Sequence, residues 1–119
     1  MSSGRTSGAL EAIDRILNRG GDADDVLREV VATLAGRAGY SWAGISFVEG
    51  DRLTLGPQAG GPAPDTRTTW PVAYRGERVA ELAVDGAGDE DRAFLERVAT
   101  LISAHCLVGW DTGGEEWRP

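Results

Sequence analysis

The side chains best suited to nucleophilic chemistry are few in this chain, and two of them are neighbours. Among 119 residues there is one Cys, Cys106, and one His, His105. A thiol and an imidazole can together form a nucleophile and its base. Both lie in a stretch of helical periodicity, however, and adjacent residues on a helix do not face each other. We therefore interpret Cys106 as an inert member of a buried apolar stripe and His105 as a helix-edge residue, and we predict no catalytic residue.

Metal chemistry is not predicted either. One Cys and one His cannot form a site built from His and Cys ligands, so only carboxylates remain as ligands. Acidic residues cluster at Asp22, Asp24 and Asp25 and again at Asp89–Asp91. Both clusters stand where a helix is predicted to begin, and acidic side chains cap and stabilise a first helical turn. Helix capping explains the clusters, and we predict no metal and no cofactor.

The net charge argues against two classes of partner. Nineteen Asp and Glu residues outnumber twelve Arg, which gives a formal net charge of −7. A surface of this charge repels phosphate backbones and anionic lipid headgroups, so binding to nucleic acid or to a membrane is not expected. No apolar run typical of a signal peptide follows the first residues. We expect a cytoplasmic protein with a reduced thiol.

The periodicity of apolar residues predicts helices at both ends of the chain, with two hairpins between them. Helices are predicted over residues 9–18 and 22–37, and from Asp89 onward. The turn pairs Gly50-Asp51 and Arg75-Gly76 each join two strand patterns. These elements predict an α+β fold in which an antiparallel sheet packs one face on helices, the first and last helices lying side by side.

The predicted domain occupies residues 9–110. Residues 1–8 are rich in Ser and Gly and are predicted to be disordered, and residues 111–119 are predicted to form a flexible tail. Within the domain, residues 56–66 hold three Gly and three Pro, a composition that predicts a loop.

Aromatic residues on either side of this loop suggest a ligand site. Trp42 and Trp70 are predicted at strand starts that flank the loop. They are candidates for the walls of a small-molecule site, and core filling is the alternative interpretation for both. The other candidate ligand-binding residues are Gly56, Pro57 and Tyr74. Trp110 and Trp117, beyond the main apolar stripe of the last helix, are candidates for a contact surface.

Three stretches carry a resemblance to a known family. Residues 71–85 show a strand-turn-strand pattern with a Pro-apolar start, a turn Gly and a final Asp, and residues 89–103 form a closing helix with an acidic first turn. Together with the order of elements, these stretches resemble the GAF family of small regulatory domains. The third stretch, residues 40–44 with 55–63, is similar to the GAF subfamily that reduces free methionine-(R)-sulfoxide.

Two departures from this family pattern affect the expected function. The resemblance implies a redox Cys at the end of the Gly-Pro-rich loop, and Pro64 stands at that position. Sulfoxide reduction by that route needs a thiolate and a second, resolving thiol, which one Cys cannot provide. The resemblance also implies several dozen residues that roof a pocket over the sheet, and this segment is much shorter here.

The sequence therefore predicts a non-catalytic GAF-like regulatory module with a shortened pocket roof. Sensing of a small ligand and binding of a signalling protein both remain open, and a reductase like the free methionine-(R)-sulfoxide enzymes is the disfavoured alternative. The resemblance further implies a homodimer that packs its first and last helices across a two-fold axis. The candidate interface residues are Leu10, Ile13, Phe94 and Leu101.

Overall fold

Two helices, two hairpins and a third helix follow one another along the chain. The computed structural model describes the backbone of residues 2–115 and the side chains of residues 8–106. The helices are α1 (Ser2–Arg19), α2 (Ala23–Gly36) and α3 (Arg92–Glu115). The strands are β1 (Trp42–Glu49), β2 (Arg52–Gly60), β3 (Arg67–Tyr74) and β4 (Glu77–Asp85). The predicted α+β class is confirmed.

The four strands form one antiparallel sheet. Its strand order is β2-β1-β4-β3, so each hairpin supplies one central strand and one edge strand. Alternate residues of a strand point to opposite faces, and residues paired directly across two strands share a face. Ile45, Leu82 and Trp70, which are paired across β1, β4 and β3, therefore lie on one face of the sheet. Trp42, Asp85 and Arg67, paired in the same way, lie on the other face.

The helices cover the face that carries Ile45 and Leu82. Helix α2 lies against β1 and β2, α3 lies against β3 and β4, and α1 packs on α2 and α3. Buried residues of α2 recur every three or four positions and form one apolar stripe. Ile45 and Leu82 are fully buried in the same core. No described helix covers the other face, which we call the open face.

Two helices are longer than their periodicity predicted. Helix α1 begins at Ser2, within the residues predicted to be disordered, and α3 continues to Glu115, beyond residue 110. Extending an existing helix costs far less than starting one, so low-propensity residues can continue a helix that a buried stripe has already fixed. Residues 116–119 of the predicted tail lie outside the described residues. No helix in the described part of the chain is long and apolar enough to cross a membrane.

Strand β2 extends into the segment predicted to be a loop. It continues to Gly60, and its register with β1 shifts between Gly44 and Ser46. Gly56 and Pro57 together lie opposite one β1 residue, which is a β-bulge. An edge strand tolerates Pro because half of its backbone groups have no partner strand. The connection between the hairpins is thus only residues 61–66, including a 3-10 helix at Pro64–Thr66.

The two edges of the sheet differ in how well they are protected against pairing with another strand. The Gly86 N–H donates to the Thr66 carbonyl at 3.3 Å. This bond shows which residues of β3 direct their backbone N–H and C=O groups towards β4. Positions an even number of residues after Thr66 bond to β4, and the odd positions, including Pro71, face the free edge. On the other edge, Leu53 and Leu55 are 45% and 50% exposed. Edge β3 therefore carries a proline where a new strand would pair, and residues 53–55 of β2 carry neither proline nor charge.

Candidate functional site on the open face

A row of three residues crosses the open face at one end of the sheet. Trp42 of β1 lies opposite Asp85 of β4, and Asp85 lies opposite Arg67 of β3. Asp85 is fully buried although no described helix covers it, because Arg67 and the short connection after β2 lie over it. The row thus joins three strands and the loop at a single point.

The Asp85 carboxylate is the centre of this arrangement. Its Oδ1 accepts from Arg67 Nε at 2.8 Å, and its Oδ2 accepts from Arg67 Nη2 at 3.1 Å and from the Ala63 N–H at 2.6 Å. The hydrogen bonds from Arg67 hold the pKa of Asp85 below its usual value, and the Ala63 N–H acts in the same direction, whereas burial opposes both. The pKa of Arg67 is raised, chiefly by the same hydrogen bonds. The pair is therefore ionised near neutral pH and fixes the connection to the sheet.

Trp42 lies flat on the sheet beneath Arg67. Its ring occupies the space over Gly44, where a Cβ atom would lie 2.5 Å from the indole Cη2. The indole Nε1–H donates to Gln58 Oε1 at 3.0 Å, and the Arg67 guanidinium carbon lies 4.1 Å from the ring centroid. A guanidinium at this distance from an indole makes a favourable cation–π contact. Trp42 is consequently only 3% exposed and forms a floor rather than a projecting wall.

A groove of about 410 Å³ lies over this floor and is open to solvent. This volume is near the lower end of the range for small-molecule sites, which is roughly 300–1,000 Å³. Pro64, the residue at the position of the implied redox Cys, also lines it. The side chains that matter for its chemistry are Trp42, Leu55, Gln58, Arg67, Thr69 and Glu81.

Trp70 does not share this groove with Trp42. It lies in the row with Leu82 and Ile45 on the helix-covered face, where it packs against the core. It lines two cavities of about 690 and 300 Å³ between the outer edge of β3 and the start of α3. The expectation that Trp42 and Trp70 form walls of one site is therefore wrong, because the two strands present these residues on opposite faces.

The other three candidate ligand residues lie outside the groove and contact other parts of the fold. Gly56 lies under Phe47, where a Cβ would be 2.4 Å from the ring Cε2, and Pro57 is buried in the bulge. Tyr74 packs against the core, and the Arg75 guanidinium lies 5.4 Å from its ring centroid. Only Trp42 of the five candidates lines the open-face groove. A ligand-binding role for any of the five stays a prediction.

Sequence reasoning missed Arg67 and Thr69 as site residues and did not single out Gln58, although Gln58 lies in the segment at residues 56–66 that was expected to border the site. Arg67 and Thr69 alternate with Thr68 and Trp70 along β3, which places them together on the open face. This alternation was visible in the sequence. The contact of Arg67 with Asp85, eighteen residues away, depends on the pairing of β3 with β4 and left no local signal.

The acidic clusters act at helix starts, although not as simple caps. Asp22 occupies the N-cap position of α2, but its side chain makes no capping hydrogen bond. Asp24 and Asp25 instead bind Arg28, the second at 2.9 Å. Near the start of α3, Asp91 Oδ2 accepts from the Gly88 N–H at 3.2 Å, which is a capping contact. Local ion pairing thus accounts for Asp24 and Asp25, and capping accounts for Asp91.

The surroundings of Cys106 do not favour a reactive thiol. It is fully buried in the core on α3, on the helix-covered side of the sheet, and burial raises its pKa to about 12. The thiolate is the reactive form of cysteine, and a pKa of this size leaves almost none at neutral pH. His105, the adjacent residue, does not line the open-face groove.

Native protein should therefore leave a disulfide reagent such as Ellman's reagent unconsumed at neutral pH. After unfolding in guanidinium chloride, one thiol per chain should react at the rate of an ordinary cysteine, because its pKa returns to about 8.5. The time course of thionitrobenzoate absorbance measures both states. Rapid reaction of the folded protein would contradict the burial of Cys106.

The candidate dimer residues differ in how much of each side chain is exposed on the surface. Ile13 is fully buried within the chain, so its assignment to an interface is wrong: the stripe that contains it packs on α2 and α3 of the same molecule. Phe94 is partly buried, with its ring centroid 6.5 Å from that of Tyr40. Leu10 and Leu101 are also partly buried. The side chain of Trp110 and the whole of Trp117 lie outside the described residues.

This arrangement of helices, sheet and open face defines a GAF-like fold. Solved structures with the same fold include GAF domains and free methionine-(R)-sulfoxide reductases, which confirms the fold expected from the resemblance. No protein-family model and no curated protein sequence matches the chain. The similarity is therefore one of fold and not of overall sequence.

Three of these structures illustrate the similarity. The free methionine-R-sulfoxide reductase from Neisseria meningitidis, solved with its substrate, matches at a TM-score of 0.80 and 15% identity over 94% of this chain and 94% of that chain. The GAF domain of a phosphoenolpyruvate-protein phosphotransferase from Coxiella burnetii matches at 0.78 and 12% over 94% and 98%. A putative GAF sensor protein from Burkholderia vietnamiensis matches at 0.77 and 16% over 88% and 95%.

Proposed function

We propose that this chain is a non-catalytic regulatory module that senses a small ligand in the open-face groove. The observation that supports this function is the groove itself, with Trp42 as a fixed floor and Arg67 held in place above it. Rigid, convergent polar groups beside apolar surface are what small-molecule sites have in common. The similarity in fold to a putative GAF sensor protein agrees with this function.

The surroundings of the groove argue against a thiol reductase. The structure with substrate shows that this fold can serve a methionine sulfoxide reductase in another organism. In this chain, Pro64 lines the groove at the position where the resemblance implies a Cys, and Cys106 is buried on the other side of the sheet. A proline has no group that can attack a sulfoxide, so we propose binding without turnover.

A thermal-shift screen with nucleotides, amino acids and their oxidised forms tests the sensing function. A true ligand at about 100 times its Kd should stabilise the protein by about 2.7 kcal/mol and raise the melting temperature by roughly 10 °C. A Trp42→Ala variant should lose the response while an Arg28→Lys variant keeps it. Absence of any response across these classes would contradict sensing by this groove.

We also propose that the module is a homodimer that packs through α1 and α3. The partly exposed Leu101 and Leu10 support this arrangement, because both helices present apolar surface beyond the core. Sedimentation velocity at micromolar concentration should show a dimer, and Leu101→Glu should shift the protein to the monomer, since a charge in the interface costs desolvation. Exposed Thr100→Glu is the matched control. A monomeric wild-type protein would rule out this interface.

Protein binding is the second candidate function. Leu53 and Leu55 are exposed on one face of an edge strand, a feature that often marks a contact surface. Leu53→Lys should abolish binding of a partner at this strand without loss of small-ligand response in the groove, because Leu53 does not line it.

A further inference from the structure

The hydrogen-bonding groups left unused at one end of the open-face groove are mostly donors. Gln58 uses its Oε1 to accept from Trp42, so its amide NH₂ remains available. Arg67 uses its Nε–H and one N–H of Nη2 on Asp85, which leaves the two N–H groups of Nη1 and the second N–H of Nη2. Thr69, two residues from Arg67 on the same face, adds a hydroxyl. This end of the groove therefore offers donors to a ligand that can accept.

Arg67 is positioned more firmly than an ordinary surface arginine. Its guanidinium is held in its plane by two hydrogen bonds to the buried Asp85 and rests on the Trp42 ring. Its side chain is still 32% exposed, so part of it reaches the groove. A guanidinium fixed in advance loses less conformational freedom when it binds an anion, and this favours binding.

The charge balance selects among oxyanions. Asp85 already neutralises Arg67, and Glu81, which lines the same groove, is paired with Arg78 at 2.8 Å, so the groove is close to neutral and does not favour a dianion such as phosphate. A carboxylate carries one charge and two coplanar oxygens that suit a guanidinium edge and a neighbouring amide. Leu55, Pro62 and Ala83 supply apolar surface for the rest of such a molecule.

We propose that the ligand of the open-face groove is a small organic acid whose carboxylate binds Arg67 and Gln58 while its apolar body packs on the groove wall. This inference rests on the proposed sensing function and names the chemical class of its ligand.

Heteronuclear NMR titration of the full chain with benzoate, benzamide and inorganic phosphate tests this proposal. Benzoate should shift the Arg67 Nε–H and Trp42 Nε1–H signals saturably, and benzamide and phosphate should bind about tenfold more weakly or worse, because they lack a monoanionic carboxylate. Equal binding of benzamide or of phosphate, or no shift with benzoate, would overturn the carboxylate assignment.

Two variants separate recognition from folding. Gln58→Glu keeps the oxygen that accepts from Trp42 but replaces the donor with a charge, so benzoate binding should fall about tenfold while benzamide binding is retained. Arg67→Lys should weaken benzoate binding similarly, and Arg28→Lys, on α2, should leave it unchanged. Unchanged benzoate affinity in Gln58→Glu would overturn the proposal even if Arg67→Lys fails to fold. A neutral compound that raises the melting temperature through Trp42 would leave the sensing function standing without this ligand class.

Discussion

Replacement of Asp85 by Ala should lower the free energy of unfolding by about 3 kcal/mol. Asp85 is fully buried and accepts hydrogen bonds from Arg67 and from the Ala63 N–H. The substitution leaves both donors without their acceptor and frees the connection between the hairpins. Urea unfolding followed by tryptophan fluorescence gives the difference.

An exposed ion pair is the control for this substitution. Glu29 contacts Arg19 at 2.6 Å, but both side chains are at least half exposed. Glu29→Ala should change the free energy of unfolding by less than about 1 kcal/mol, because water screens such pairs. Equal effects of the two substitutions would show that Asp85 is no more important than a surface charge.

The pH dependence of stability should report the same carboxylate. The folded-state pKa of Asp85 is lowered, so the unfolded chain binds its proton first as pH falls. The stabilisation by Asp85 is complete above the unfolded pKa of about 3.9 and is lost as pH falls below it, through the folded-state pKa. The stability difference between wild type and Asp85→Asn should therefore shrink only in this acidic range. A difference that is constant down to pH 2 would contradict the ionised pair.

Replacement of Gly60 by Ala should be comparably damaging, with a loss of about 3 kcal/mol. Gly60 ends β2 with φ of +96°, a conformation that residues with a side chain rarely adopt. An added Cβ would also lie 2.3 Å from the Ser41 carbonyl oxygen, which is backbone and cannot rotate away. The chain must shift at the point where the connection leaves the sheet.

The next residue provides a matched control. Nothing lies within 4 Å of a Cβ built on Gly61, and its backbone is not in the positive-φ region. The Gly61 N–H bond to the Ser41 carbonyl, 2.9 Å long, is kept by Ala. Gly61→Ala should change stability by less than about 0.5 kcal/mol. Similar losses for both variants in urea unfolding would contradict the geometry at Gly60.

How far the sequence predicted this structure depended on whether the determining interaction was local. Both hairpins and all three helices follow from apolar periodicity and turn residues such as Gly50 and Gly76. The extension of β2 to Gly60 did not, because Gly and Pro have low strand propensity and a bulge at Gly56 is set by packing under Phe47. Local composition correctly marked an irregular segment there but could not show that it remains paired.

The candidate site was predictable only in part, for a related reason. Trp70, Val72 and Tyr74 share a pattern in the sequence, yet which face of the sheet they occupy relative to Trp42 depends on the register of β3, β4 and β1. Asp85 looked like the polar end of a strand before Gly86. Its burial arises from Arg67 and the backbone of Ala63, which reach it only in the folded sheet.

The unequal edges of the sheet imply self-limiting assembly. Two copies that meet through residues 53–55 of β2 can pair antiparallel about a two-fold axis, with Leu53 of one beside Leu55 of the other. The doubled sheet would then present only its two β3 edges, where Pro71 withholds a donor from any incoming strand. Pairing of sheet edges alone would therefore end at two sheets, because the placement of one proline leaves neither outer edge open to further growth.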